Sequence, residues 1–208
     1  MPERAYRVLG VILAGGASRR FGADKTAALL GGRPLLEWVV ERARSQVDAL
    51  LLNTNDPASA DNGIERLVDH APGEGPIAGI LATLGEAERR CFSHVASFAC
   101  DTPFFPPDTV ARLVSALESS TADYAVANCG ATVHRIFALW PVACRDRLEQ
   151  AFANKVRSMR EIESELAPAK ADFPFGSGPG GDPFFNINTP EDLATAEAWI
   201  ASRMPRLQ

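Results

Sequence analysis

The stretch RVLGVILA, residues 7–14, carries a continuous apolar run that stops at Gly15-Gly16. A strand with one wet face alternates, because successive side chains point to opposite sides. A run without alternation must be covered on both faces, as in a parallel sheet between helices. The rest of the chain keeps to that plan. From Pro34, PLLEWVVERARSQV puts Leu35, Leu36, Val39, Val40, Ala43 and Val47 on one helical stripe, with Pro34 suited to the first turn. ALLLNTN predicts a strand ending in polar residues, IERLVD a short strand, and GPIAGILATLGEAE a helix opened by the turn signals of HAPGEGP. CFSHVASFACD predicts a strongly apolar strand stopping at Asp101. PPDTVARLVSALES follows as a helix with Val110, Leu113, Val114 and Leu117 as its stripe. DYAVANC and VHRIFALWPV read as two more strands, CRDRLEQAFAN and SMREIESEL as helical, and PEDLATAEAWIASR as a closing amphipathic helix. FGSGPGGD, residues 175–182, reads as a flexible Gly-rich loop.

This order predicts an α/β fold with a mostly parallel central sheet covered on both faces. The 208 residues suit one domain, with 46% hydrophobic residues to build its core. Strands and helices alternate regularly to about residue 121 and less so from about Ala122 to Phe185, which suggests that this stretch adds a substrate lobe. The net charge of −5 argues against non-specific binding to nucleic acid or to an anionic membrane, so any anion must be attracted locally. The four cysteines, Cys91, Cys100, Cys129 and Cys144, form no Cys-x-x-Cys, and no His pair has zinc spacing. They are expected to be reduced core thiols. With no apolar segment near the length of a membrane span, a cytoplasmic enzyme is the expectation.

In an open α/β sheet, ligands sit beyond the carboxyl ends of the strands. Gly15-Gly16, Asn53 with Asn55, Asp69 and Asp101 all fall at such predicted ends. LAGGASRRFGADK, residues 13–25, has glycines that let backbone N–H groups approach an anion, then Arg20 and Lys25 to neutralise phosphate. It is neither the P-loop, which needs Lys directly after its second Gly, nor a Gly-x-Gly dinucleotide loop. Asp101 has two readings: a Mg²⁺ ligand, since that cation is held by one or two carboxylates plus phosphate and water, or a cap of the next helix, a role Asp108 suits better. Beside a phosphate loop at the same edge, the metal reading is favoured. Asn53 and Asn55 suit either a base edge or ribose, or turn chemistry. Gly75 and Gly79 flank a helix start that a nucleobase can approach closely, or mark a plain turn. His94 reads as core, His70 as loop, and His134 as structural or at a pocket rim. NINTPEDL predicts a helix start with Thr189 as cap, Pro190 at the first position and Asp192 three after the cap. In FFNIN, Asn186 and Asn188 alternate with Phe185 and Ile187, placing two amides on one strand face for polar recognition. No Ser-His-Asp, reactive-Cys or paired-Glu signature stands out.

Together these residues resemble the molybdenum cofactor guanylyltransferases, nucleotidyltransferases with a Rossmann-like, GT-A-type three-layer sandwich. LAGGASRRFGADK is similar to that family's Leu-Ala-Gly-Gly-x-Ser-x-Arg-Met-Gly-x-Asp-Lys loop, with Phe21 in place of Met. DHAPGEGPIAG resembles the guanine-supporting segment, CDTPFFPPD the metal-binding strand end, and DPFFNINTPEDL the C-terminal Asn-x-Asn-Thr-Pro segment. The resemblance implies that Leu13, Ala14, Gly15, Lys25, Asn53, Asp69 and Asp101 bind GTP. Arg20, Lys25 and Asp101 would be catalytic, and Asp101 would hold Mg²⁺. Asn186 and Asn188 would face Mo-molybdopterin. It further implies a nucleotide-binding part at about 1–121, a pterin-side part at about 122–208, and molybdoenzymes as delivery partners. The chain departs from the family where His134-Arg135 replaces His-Pro. Arg135 then either meets the incoming phosphate or alters a turn. The rival readings are a molybdopterin cytidylyltransferase, a sugar-phosphate nucleotidyltransferase, and a non-catalytic nucleotide-binding protein that delivers cofactor.

Overall fold

The computed structural model describes residues 6–14, 28–55, 63–68 and 73–203. Strand β1 (Val8–Leu13) is followed by a hairpin of β2 (Leu29–Leu30) and β3 (Arg33–Pro34), helix α1 (Leu35–Arg44), β4 (Ala49–Asn53), β5 (Glu65–Leu67), α2 (Pro76–Arg89) and β6 (His94–Ala99). Then come α3 (Thr109–Glu118), β7 (Tyr124–Cys129), β8 (Thr132–Pro141), α4 (Arg145–Ala153), β9 (Pro168–Phe173) and α5 (Pro190–Arg203). Seven strands form one sheet in the order β5-β4-β1-β6-β8-β7-β9. β4, β1 and β6 run parallel, as do β4 with β5 and β7 with β9; β8 is antiparallel to both its neighbours. The mostly parallel Rossmann-like sheet is as expected.

Strand β1 lies at the centre because it has no polar face to offer water. Val8 and Ile12 pack with Leu36, Val39, Phe98, Val110 and Leu113 on the side of α1 and α3. Leu9, Val11 and Leu13 pack with Ile77, Ile80, Leu84 and Leu148 on the side of α2 and α4. Each such burial is worth roughly 1.5–3 kcal/mol, so this one strand anchors both layers. Between them, Gly10 makes room: a Cβ there would come within 2.9 Å of Val47 and 2.8 Å of Leu50. Trp140 and Tyr124, both fully buried, stack with ring centroids 4.3 Å apart under α4's side of the sheet. A third cluster of Leu30, Leu35, Phe104, Ile187 and Ala196 fixes the β2–β3 hairpin and α5 against the sheet layer.

Several expectations need correction. α1 ends at Arg44, so Val47 lies in the turn beyond it, and Pro34 is the cap position rather than a first-turn residue. SMREIESEL forms only a 3-10 turn at Glu161–Ser164, with Met159, Ile162 and Leu166 as its buried apolar anchors. PAKADF, unassigned in the sequence reading, is the edge strand β9. FFNIN is not a strand: residues 185–188 run without ladder pairing. Its alternation is nonetheless real, with Ile187 buried and Asn186 and Asn188 exposed. The Gly-rich segment is folded back on itself by hydrogen bonds from Gly176 N–H to Gly181 C=O (2.6 Å) and from Gly181 N–H to Gly178 C=O (2.9 Å). Of the cysteines, Cys129 and Cys144 are buried, Cys100 is half-buried and Cys91 is exposed. Burial pushes the Cys144 thiol up to about 12, which leaves it inert.

Candidate active site

The register places Leu13 beside Asn53 on one neighbour and beside Ala99 on the other, with Asn53 in turn beside Leu67. Four parallel strands therefore end on one line. Leu13 and Ala14 finish β1, Asn53 finishes β4, and Asp101 lies just past β6. Gly15, Arg20, Lys25 and Asp69 continue from these ends but lie outside the described residues, as do His70 and the Arg19 neighbour of Arg20.

Asn53 is 3% exposed, and its side chain is not a turn-former. Its Nδ2 donates to the Leu67 carbonyl at 3.2 Å, and its own carbonyl accepts from Ala14 N–H at 2.9 Å. It thus ties the ends of β1, β4 and β5 together. The amide fits only because residue 79 on α2 is glycine. A Cβ there would fall on Asn53 Oδ1, within 2.9 Å of its Cγ and of Leu13 Cδ2. Helix α2 starts at this same edge, behind Gly75 in a left-handed conformation (φ 83°) and Pro76 at the first helical position. Its first turn carries no acidic side chain, so the positive end of the helix dipole is left for an anion. An ion pair between Glu74 and Arg157 holds the approach to this helix.

Asp101 is half-buried and does not cap α3. Asp108 occupies that cap position, but its carboxylate binds Arg112 at 2.7 Å rather than a helix N–H. The Asp101 carbonyl accepts from Ile187 N–H at 2.9 Å, and its Oδ1 lies 3.1 Å from the Thr102 hydroxyl. Thr102, fully buried, also lies 2.6 Å from Asn186 Oδ1. The structure therefore brings Asn186 to Asp101, joining the two ends of the chain's site residues. The backbone N–H groups of Asn188 and Thr189 both donate to Asp192 at 2.9 Å. Thr189 Oγ1 accepts from Asp192 N–H at 3.1 Å, which completes the expected capping box of α5. Among the described residues, no group of three His, Cys, Asp or Glu side chains is placed to hold a metal.

The antiparallel strand β8 brings His134 and Arg135 to this same edge of the sheet. Arg135 Nε donates to Glu163 at 2.6 Å, so its charge is already matched. His134 Nε2 lies 3.2 Å from Asp182 Oδ2, at the end of the Gly-rich loop, without forming an aligned hydrogen bond. The ring stacks on Phe184 at 4.6 Å. Burial pulls the imidazole below its ordinary value against the opposing pull of Asp182. His94 lies at the opposite end of the sheet, edge-on to Tyr6 at 4.8 Å, away from the strand C-termini.

Sequence reasoning missed Thr102 and the partners of His134 and Arg135. Thr102 left no signal, because its partner Asn186 lies far along the chain. Asp182 and Glu163 left no signal, because the chain separates them widely from the residues they meet.

Comparison with known proteins identifies the family. Residues 10–169 match the MobA-like NTP transferase domain. The chain is 44% identical over 208 residues to a molybdenum cofactor guanylyltransferase of Rhizobium meliloti (strain 1021), covering 96% of this chain and 94% of that protein. It is similar to the crystal structure of molybdopterin-guanine dinucleotide biosynthesis protein A from Archaeoglobus fulgidus, with a TM-score of 0.72 and 30% identity over 95% of this chain and 100% of that one. Rv0371C from Mycobacterium tuberculosis H37Rv, solved in complex with manganese, shares the fold at 17% identity and a TM-score of 0.62, over 92% of this chain and 98% of that one. The chain belongs to the MobA-like NTP transferase family.

Proposed function

We propose that the chain transfers GMP from GTP to the phosphate of Mo-molybdopterin, giving the guanine dinucleotide form of the cofactor and releasing pyrophosphate. The observation that carries this reading is the convergence of Leu13, Asn53 and Asp101 at one strand-end line, in a chain matched almost end to end by a molybdenum cofactor guanylyltransferase. GTP lies along Leu13, Ala14 and Gly15, with Lys25, Asn53, Asp69 and Asp101 as further contacts. An oxygen of the pterin phosphate attacks the α-phosphorus of GTP. The bond from that phosphorus to the bridging oxygen breaks, and pyrophosphate leaves with the electron pair. Both reactants are anions, so the protein's work is to position them in line and to neutralise charge. Arg20 and Lys25 supply that charge; the attacking phosphate is already ionised and needs no protein base.

Asp101 suits Mg²⁺. The carboxylate stands at a strand end with one oxygen near a hydroxyl, and this cation needs only one or two carboxylates with phosphate and water. Bound there, Mg²⁺ would neutralise phosphate oxygens. Residues 1–121 serve the nucleotide and 122–208 the pterin, with Asn186 and Asn188 on the pterin side and molybdoenzymes receiving the product. The setting is cytoplasmic. Pyrophosphate release measured with GTP, CTP and UTP in competition, molybdopterin present, tests the assignment. Preference for CTP or UTP makes it a cytidylyl- or sugar-nucleotidyltransferase, and GTP binding without release makes it a delivery protein. Lys25→Ala is expected to lose about 10²-fold or more in turnover. Near wild-type turnover would remove Lys25 from the mechanism.

A further inference from the structure

The hydrogen bonds around Thr102 pose a problem of proton count. Its hydroxyl has one proton, yet Asp101 Oδ1 at 3.1 Å and the Asn186 amide oxygen at 2.6 Å both stand as acceptors. A fully buried hydroxyl cannot turn to water to settle the conflict. Turning the Asn186 amide end for end resolves it. Nδ2 then donates to Thr102 Oγ1, and the Thr102 proton goes to Asp101. Every group has a partner of the right sense, and the bond to the carboxylate is charge-assisted. The backbone contact from Ile187 N–H to the Asp101 carbonyl, 2.9 Å, holds the two segments in this register.

We propose that Thr102 is a positioning residue: it relays a hydrogen bond from Asn186 to Asp101 and fixes the orientation of the carboxylate that receives the divalent cation. This rests on the assignment of Asp101 as the cation ligand. The relay gives Asn186 a second task, since the segment that faces the pterin also sets the metal carboxylate. A valine at 102 would fill the same space and supply no proton, so packing alone does not account for the hydroxyl.

The test reads metal binding without turnover. The probe is Mn²⁺ with a GTP analogue carrying a methylene between the α and β phosphorus, followed by water proton relaxation on the full chain. Thr102→Val is expected to weaken Mn²⁺ binding about tenfold, as loss of a hydrogen bond to a charged group would do. Thr102→Ser is expected to restore it to within about twofold. Asn186→Leu, at an exposed position, should weaken it by a smaller factor of about three. Wild-type Mn²⁺ affinity in Thr102→Val, with affinity lost in Asp101→Asn, overturns the relay and leaves the Asp101 assignment standing. Wild-type affinity in Asp101→Asn overturns the assignment itself. Should Thr102→Val not fold, Asn186→Leu decides: an unchanged affinity there also overturns the relay.

Discussion

The two halves of the sheet reach the same edge by different routes. In the first, β1, β4, β5 and β6 are parallel neighbours; Leu13 and Asn53 finish strands, and Asp101 lies just past one. In the second, β8 runs antiparallel, and its polar residues are met by partners far along the chain: Arg135 by Glu163 and His134 by Asp182. The first half places its groups chiefly through strand register, and the second through pairs that must find each other. Substitutions in the first half should therefore act through geometry and those in the second through charge.

Gly79→Ala should have the largest effect, since a methyl there collides with Asn53 and Leu13. Overpacking of this kind costs about 1–3 kcal/mol, read as a lower denaturant midpoint, and the KM for GTP should rise about tenfold. A change in the KM for molybdopterin with GTP unaffected would break the division between halves.

Arg135→Ala comes next. The Arg135 and Glu163 side chains are 29% and 30% exposed, so the pair is worth about 0–1 kcal/mol. The KM for molybdopterin should rise about two- to fivefold, with the KM for GTP unchanged. Equal losses for both substrates would place Arg135 elsewhere in the mechanism.

His134 gives a pH signature. Its folded value lies below the ordinary 6.5, so the folded chain binds fewer protons than the unfolded one. Stability is whole above 6.5 and falls as pH drops below it toward the folded value, by at most about 1.4 kcal/mol per pH unit from this ring. His134→Phe should flatten the urea midpoint across that window. Some slope should persist, because burial lowers His94 as well. An unchanged slope would show that the ring does not sense its burial.

The smallest effect concerns Glu86, held down to about 2 by hydrogen bonds first from Arg89 and then from Arg90. Its contribution is present above 4.5 and is lost as pH falls from there toward 2. Because the Arg89 side chain is 68% exposed, Glu86→Gln should move the acid-unfolding midpoint only slightly.

The legible parts of the fold were those whose signal lies within one segment. β1 declared itself by an unbroken apolar run, and α3 by Val110 and Leu113 at helical spacing. β9 did not. It is an edge strand with Lys170 exposed and only Ala171 and Phe173 buried, too few apolar residues to show a period. FFNIN misled for the opposite reason. Its alternation reports burial of Ile187, and burial needs no ladder. The β2–β3 hairpin went unread: Gly31-Gly32, both at positive φ, make its turn, but its strands are too short to carry a pattern. At the site, the places of Asn53 and Asp101 at the strand ends were readable because topology sets them. Thr102 was not, since its role exists only once Asn186 has been brought to it across the fold.

The packing of Gly79 on Asn53 also constrains the history open to this chain. Any side chain at 79 requires that residues 53 and 13 first become smaller or move, while shrinking residue 53 alone only opens space. Changes at these positions are thus ordered. The order that opens space first passes through less strained intermediates than its reverse. Relatives that carry a side chain at the position of Gly79 should differ at the positions of Asn53 and Leu13 as well.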